Sequence, residues 1–357
     1  CRTNLMMSTV NPEQVAEVLQ KIPFMVSFAR QIDETVEFAD IVLPDAHDFE
    51  RDDFFPVNHP YAFLVPGPGD WYWASRREVV PPAGQARPWA AVLLEIAGRL
   101  GFADEVYAIA NILFNLKEPY TLDRSRQYSP REIANKQARS LFGSAYEEEM
   151  FEKTSSPVSR RKKLKEAYPR PFLKARVPVY LEHFVDAGKD VQRVTRQLGI
   201  AWDVSDYTPL PDWKPCPAYE EPPDSEFDLF AVNFKLPFHT FTITTENPWL
   251  NDLSERHPYA YKILINAVRA QEKGIRDGDL IYVESRAGRV QGRVKVVQGI
   301  HPEVVGIAGT FGHWAAGKPI SRDKGVHFNT LLPLEMERID TLSGAVDACV
   351  RVRVYKA

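Results

Sequence analysis

The chain has 357 residues, 44% hydrophobic and 26% charged, with a net charge of −4. That length allows two or three domains around a substantial core, and the slight negative charge gives no basis for nucleic-acid binding. No apolar run approaches the roughly 18 residues of a membrane span, and Cys1, Cys216 and Cys349, widely spaced and odd in number, encode neither a disulfide framework nor a CxxC metal pair. We expect the chain to begin mid-domain, as a cropped or cleaved part of a longer protein, because its first residue is cysteine and no charged-then-apolar leader follows. Lipid attachment at Cys1 is the alternative, without an upstream lipobox to support it.

In chain order, Asn11-Pro12 predicts a helix start through Val15, Val18 and Leu19, the proline costing no hydrogen bond in the first turn. Pro23 ends it, and Phe24 to Phe28 reads as a buried strand. Asp33 to Phe38 is a short helix and Ala39 to Pro44 a second strand, an order that suits a parallel sheet. About one and a half such units are present, too few to close a stable sheet alone. Residues 45 to 85 are rich in proline and aromatics. Pro66-Gly67-Pro68-Gly69 marks a loop, and Trp71-Tyr72-Trp73 reads better as core packing than as ligand stacking. Arg87 to Gly101 predicts an amphipathic helix carrying Val92, Leu93, Ile96 and Leu100, stopped by the glycine.

Residues 102 to 200 read as mostly helical, with the basic run Arg160-Arg161-Lys162-Lys163-Leu164-Lys165 as a solvated helix face. Six prolines make 201 to 226 a linker. From Phe227 onward short strands alternate with turns. Ile263 to Ile265 is a strand, Ala267 to Lys273 a short helix, and Asp277-Gly278-Asp279 a turn. The next strand sets Ile281, Val283 and Ser285 against Tyr282 and Glu284. Val290 to Val297, Val304 to Ile307 and Val350 to Tyr355 complete the set. The expected fold class is an α/β remnant of a parallel-sheet domain (1–101), a helical region (102–200), the linker (201–226) and a mainly-β barrel (227–357).

Three ordered blocks resemble the molybdopterin-dinucleotide oxidoreductases, the dimethyl-sulfoxide-reductase superfamily. Ile32 to Pro44, with Glu50 after it, is similar to the family's Glu-Thr-Ala-x-x-Ala-Asp-Val-Val-Leu-Pro segment. Ahead of it, Asn4 and Ser8 sit where an Asn-Pro-x-x-Ser/Thr loop contacts a pterin dinucleotide, although Leu5 replaces the proline. Pro82 to Gly101 is similar to the Pro-x-Gly-Glu-Ala-Arg stretch, and Phe227 to the C-terminus resembles the entire dinucleotide-binding domain, including its Gly-Ile, Asp-Gly-Asp, Val-x-Val-x-Ser signature. The resemblance implies a double-psi type for the barrel.

It also implies a polyanionic cofactor held by backbone amides, carboxylates and polar edges. Asn4, Ser8, Glu34, Thr35 and Asp40 are the candidates for one dinucleotide. His239, Thr240 and Thr242, then Gly312, His313 and Asn329, are candidates in two further loops, Gly309 and Gly312 permitting close backbone approach. Plainer readings stay open: His239 caps a strand, His313 is a satisfied core histidine, and Asp40 caps the sheet. Asp277, Asp279 and His301-Pro302 are turns, not catalytic groups.

By resemblance, the chain is the C-terminal half of a molybdenum or tungsten bis-pterin oxidoreductase catalytic subunit, with two molybdopterin guanine dinucleotides per metal. A 4Fe-4S cluster and the metal's protein ligand belong to the missing N-terminal half or a partner, so no catalytic residue and no metal ligand is assigned in this chain. Implied partners are that N-terminal half, a membrane anchor and a ferredoxin-like iron–sulfur subunit. The place is the cytoplasmic or periplasmic membrane face. Asn247-Pro248-Trp249-Leu250 and Gly312-His313 point to the branch of thiosulfate, polysulfide and tetrathionate reductases and phenylacetyl-CoA:acceptor oxidoreductase. The rival readings are a non-catalytic scaffold, a non-redox hydratase or transhydroxylase, and a separately encoded half that assembles with its partner.

Overall fold

A computed structural model describes residues 3–53, 70–73, 77–123, 126–143, 146, 158–161, 180–222 and 226–357, with backbone alone at 70–73 and 158–161. The chain forms two compact units. One joins Cys1–Ser27, Gln31–Val42 and Pro178–Ala357; the other joins Phe28–Arg30 and Leu43–Val177.

The first unit opens with α1 (Leu5–Ser8) and α2 (Pro12–Gln20). Asn11 Oδ1 accepts the Gln14 amide at 3.2 Å, capping α2 beside its first-turn proline. The helix buries Val15 and Leu19 with Met6, while Val18 of the expected stripe faces solvent. Strands β1 (Val26–Ala29) and β2 (Ile41–Pro44), each of which begins in the first unit and ends in the second, form a two-stranded sheet. Their register is parallel: the Ile41 amide donates to the Met25 carbonyl at 3.2 Å and the Asp45 amide to the Ala29 carbonyl at 3.0 Å. A short 3₁₀ turn, Val36–Phe38, stands where a helix was predicted. The expectation of a buried strand is corrected, because Phe24, Val26, Ile41 and Val42 are exposed. Two strands cover neither face, so residues with core character stay in solvent.

In the second unit, β3 (Asp70–Trp73) pairs antiparallel with β4 (Val158–Arg161), flanking in sequence α3 (Trp89–Leu100), α4 (Ala103–Leu113) and α5 (Pro130–Phe142). Helix α3 ends on Gly101 at φ +83, as the glycine predicted. Its buried residues are Ala90 and Ala97, whereas Leu93, Ile96 and Leu100 are exposed. The helix therefore packs through Ala90, Ala97 and the partly buried Leu94, a face rotated away from the expected one. Ser129 and Glu132 form a reciprocal capping box at the start of α5. Arg160-Arg161 lies in a strand, not on a helix face; Lys162 to Lys165, Pro66 to Gly69 and the Trp71, Tyr72 and Trp73 side chains lie outside the described residues.

The first unit resumes with α6 (Glu182–Gln197) and α7 (Pro217–Glu220), then closes a six-stranded barrel. Its strands are β5 (Leu229–Phe234), β6 (Lys262–Asn266), β7 (Leu280–Glu284), β8 (Arg289–Val297), β9 (Val304–Ala308) and β10 (Cys349–Lys356). Helix α8 (Pro248–Arg256) follows β5, and α9 (Ala267–Glu272) follows β6. The order around the barrel is β10-β5-β9-β6-β8-β7, with β5/β9 and β6/β8 parallel and the other pairs antiparallel. This is the double-psi arrangement, in which two crossed-over parallel pairs interlock. The predicted alternation holds. Ile281, Val283, Val350, Val352 and Val354 point into the core, while Arg351 and Arg353 point outward. Each fully buried aliphatic side chain contributes about 1.5–3 kcal/mol.

Candidate functional site

Glu34 is the hub of a buried polar cluster within the first unit. It lies just before the 3₁₀ turn, whose N-cap is Thr35, and is 0% exposed. Its Oε1 accepts three bonds, from His313 Nδ1 at 2.8 Å and from the Trp314 and Ala315 amides at 3.0 and 3.2 Å. Oε2 accepts Asn4 Nδ2 at 2.7 Å. Thr35 Oγ1 donates to Asn4 Oδ1 at 2.7 Å and accepts the Met6 amide. Burial alone would raise the Glu34 pKa, but the His313 bond and charge and the Asn4 bond outweigh it and lower it to about 2.

His313 continues the network. Its Nε2 meets Thr245 Oγ1 at 3.3 Å, and that hydroxyl donates to the Thr242 carbonyl at 3.1 Å. The Thr245 hydroxyl thus links His313 to the Thr242 backbone. Lys318, 3% exposed, reaches Gln31 Oε1 at 3.0 Å and the Thr242 carbonyl at 3.5 Å. Gly312 lies at φ +85, and a Cβ there would meet the His327 amide nitrogen at 2.2 Å. The close approach expected at this glycine is to the chain's own backbone.

A second bridge ties the barrel to the N-terminal segment. Asn329 Nδ2 donates to the Met7 and Thr9 carbonyls at 3.0 and 3.2 Å, and His327 Nε2 meets the Met7 carbonyl at 3.1 Å. Both Asn329 amide protons are thereby used, and among the described residues nothing donates to its Oδ1. Ser8 Oγ is turned back onto the Asn4 carbonyl at 2.8 Å.

The other candidates separate from this hub. His239 stands between Thr244 Oγ1 at 3.3 Å and Ser254 Oγ at 2.9 Å, its pKa lowered first by burial. Thr240 is exposed and its amide donates to Thr244 Oγ1. Thr242 enters the network through its carbonyl. Asp40 is exposed and caps β1, accepting the Met25 amide at 2.7 Å. Asp277 and Asp279 hold their turn by accepting the Val296 and Arg276 amides. Thr245, Lys318, Ser254 and His327 were missed as partners. No sequence signal marks Thr245 or Lys318, whereas His327 lies in the same short motif as Asn329.

The donor set suits a heterocycle edge. Asn329 is held rigidly and offers a free acceptor to a ring N–H, and the Ser8, Thr240 and Thr242 side chains are exposed or half-buried.

Residues 1–99 match the molybdopterin oxidoreductase family and residues 229–346 match the molydopterin dinucleotide binding domain. The thiosulfate reductase molybdopterin-containing subunit of Salmonella typhimurium is 24% identical over 342 residues, 92% of this chain and 40% of that protein. A sulfite dehydrogenase subunit of Allochromatium vinosum is 24% identical over 431 residues, 98% of this chain and 41% of that protein. The acetylene hydratase structure from Pelobacter acetylenicus superposes with a TM-score of 0.62 at 18% identity, covering 99% of this chain and 43% of that one, a likeness of fold. The chain thus spans less than half the length of these relatives. No helix among the described residues is long and apolar enough to cross a membrane. Two matched domains in their expected order, on the barrel and sheet described above, make this chain a member of the molybdopterin oxidoreductases of the dimethyl-sulfoxide-reductase family.

Proposed function

We propose that the chain is the C-terminal part of the catalytic subunit of a molybdenum or tungsten bis-pterin oxidoreductase that carries out two-electron redox on a small substrate. The observation that carries this reading is Asn329: clamped by two carbonyls across the barrel and the N-terminal segment, it keeps one acceptor free. Glu34, Asn4, Thr35 and His313 satisfy one another, so a scaffold of the same fold would keep them equally well. Among the described residues nothing makes such use of Asn329 Oδ1.

In this reading Asn329 accepts a pterin N–H, and Ser8, Thr240, Thr242 and His239 line the dinucleotide. Glu34, Asn4, Thr35, His313 and Gly312 are positioning residues that fix the loops beneath it. Asp40 belongs to the sheet. When bound, the metal and its dithiolenes supply the electron-transfer chemistry, and the protein orients and tunes them. A 4Fe-4S cluster outside this chain and a ferredoxin-like subunit would take up the electrons, with a membrane anchor as third partner at the cytoplasmic or periplasmic membrane face. The relative acting on thiosulfate favours the sulfur-compound branch.

The test is Asn329→Ala in the assembled enzyme. Guanine nucleotide retained through purification should fall by about tenfold, the loss of one well-made hydrogen bond to a buried ligand. Full retention with unchanged thermal stability would remove Asn329 from the site and leave the scaffold reading.

A further inference from the structure

Among the described residues of the first unit, four buried side-chain polar atoms have no hydrogen-bond partner: Trp202 Nε1, Arg338 Nη1, Thr341 Oγ1 and Asp347 Oδ2. All four side chains belong to the wall of one cavity of about 740 Å³, built from the segments 201–206, 214–220 and 336–347. Their gathering there sets this wall apart from the rest of the unit. Each such atom costs stability until a partner is supplied, and the volume is that of a small-molecule site.

Other contacts fix the wall and leave these atoms spare. The Arg338 guanidinium is held from two sides, Nη2 by Glu221 and Nε by Glu335 at 3.1 Å, so that Nη1 alone is unused. The Tyr207 hydroxyl donates to the Thr341 carbonyl at 3.0 Å and ties the third segment to the chain that follows the first. Asp340 accepts the Ser343 amide at 2.6 Å, and Lys214 pairs with Asp206.

The four atoms call for mixed chemistry. Trp202 and Arg338 only donate, the Asp347 carboxylate only accepts, and Thr341 does either. A matching ligand therefore carries both an acceptor oxygen and an N–H donor. Charge selects its sign. The lining sets Asp203, Asp206, Glu220, Glu337, Asp340 and Asp347 against Lys214 and Arg338 alone, a field that concentrates cations. A metal ion is not what it fits, since no group of three or more His, Cys, Asp or Glu among the described residues could hold one. Pro215, Pro217, Ile339 and Val346 offer apolar surface to a methylene chain.

We propose that this cavity binds a small organic cation that also carries a carbonyl group, in the manner of a basic amino-acid amide. Its ammonium group donates to Asp347 and Thr341, and its carbonyl accepts from Trp202 and Arg338. Small rotations of these side chains toward the cavity bring their polar atoms out of the wall and exchange unmade bonds for made ones.

The test titrates the natively purified assembly by calorimetry with Nα-acetyl-lysine amide, the neutral Nα-acetyl-norleucine amide and the anionic Nα-acetyl-glutamate amide. The lysine amide should bind saturably and about tenfold more tightly than the norleucine amide, the difference made by one charge-assisted hydrogen bond. The glutamate amide should not saturate. Asp347→Asn should abolish the preference for lysine over norleucine. Thr341→Val should weaken lysine-amide binding while leaving ligand-free thermal unfolding unchanged or raised, because the hydroxyl it removes has no internal partner. Trp202→Phe should weaken the lysine amide but not pentylamine, which has no carbonyl. Equal affinity for the three amides, or wild-type binding by Asp347→Asn, would overturn the proposal. So would the absence of saturable binding, which would leave a cavity that holds water only.

Discussion

Glu34 in the first unit and Arg51 in the second are both shut away from solvent, yet they are neutralised in opposite ways. Glu34 is one carboxylate surrounded by donors: an imidazole, an amide side chain and two backbone N–H groups. Arg51 is one guanidinium surrounded by carboxylates. Its Nη1 donates to both Asp45 oxygens at 3.1 Å, Nη2 to Asp48 at 2.9 Å, and Nε lies 3.5 Å from Asp53. The contrast teaches where each charge finds its compensation. Arg51 depends on formal ions gathered within a few residues of chain. Glu34 draws on backbone dipoles and a histidine supplied from the far end of the sequence, so it fastens distant segments together.

Arg51→Met should show the largest effect, about 3–5 kcal/mol of destabilisation, since it strips three carboxylates of the cation they share. Calorimetric unfolding measures it, and a loss below 1 kcal/mol, on the order of an exposed pair, would mean that the cluster is a surface-like network after all.

Glu34→Gln comes next. Its amide meets the Asn4 amide donor to donor, and about 3 kcal/mol should be lost near neutral pH. The folded-state pKa of about 2 lies below the ordinary 4.5, so the Glu34 contribution is full above about 4.5 and disappears as pH falls toward 2. Acid titration of stability should flatten across that window in the variant. The pair Asn4→Asp with Glu34→Gln restores donor facing acceptor and should recover part of the loss; additive penalties would break the hub description.

The smallest effect is expected at Ser129, where Ala removes one half of the α5 capping box. About 1 kcal/mol should go, read from chemical denaturation. This sharpens the comparison, because a local cap should weaken only its own helix.

The barrel was legible because β7 and β10 alternate, β6 and β9 are continuous apolar runs, and the turns carry Asp277-Gly278-Asp279 and Gly274. The α2 cap was legible from Asn11-Pro12. The face of α3 was not, since periodicity marks Leu93, Ile96 and Leu100 as apolar without saying that Ala90 and Ala97 pack more closely. The exposure of β1 and β2 was hidden for a related reason: strand character is local, but burial depends on neighbours. At the site, Glu34 and His313 were each singled out by resemblance, yet their mutual bond spans almost the whole chain and no local pattern encodes it. The Arg51 cluster went unread because Asp45, Asp48 and Asp53 look like ordinary loop acids.

The central claim is that this chain cradles a metal–pterin cofactor. Its most direct test is the molybdenum, tungsten and guanine-nucleotide content of the natively purified assembly that contains the chain. The account predicts one molybdenum or tungsten, with about two guanine nucleotides released per assembly. An intact assembly without metal and without guanine nucleotide would contradict it and leave a scaffold of the same fold.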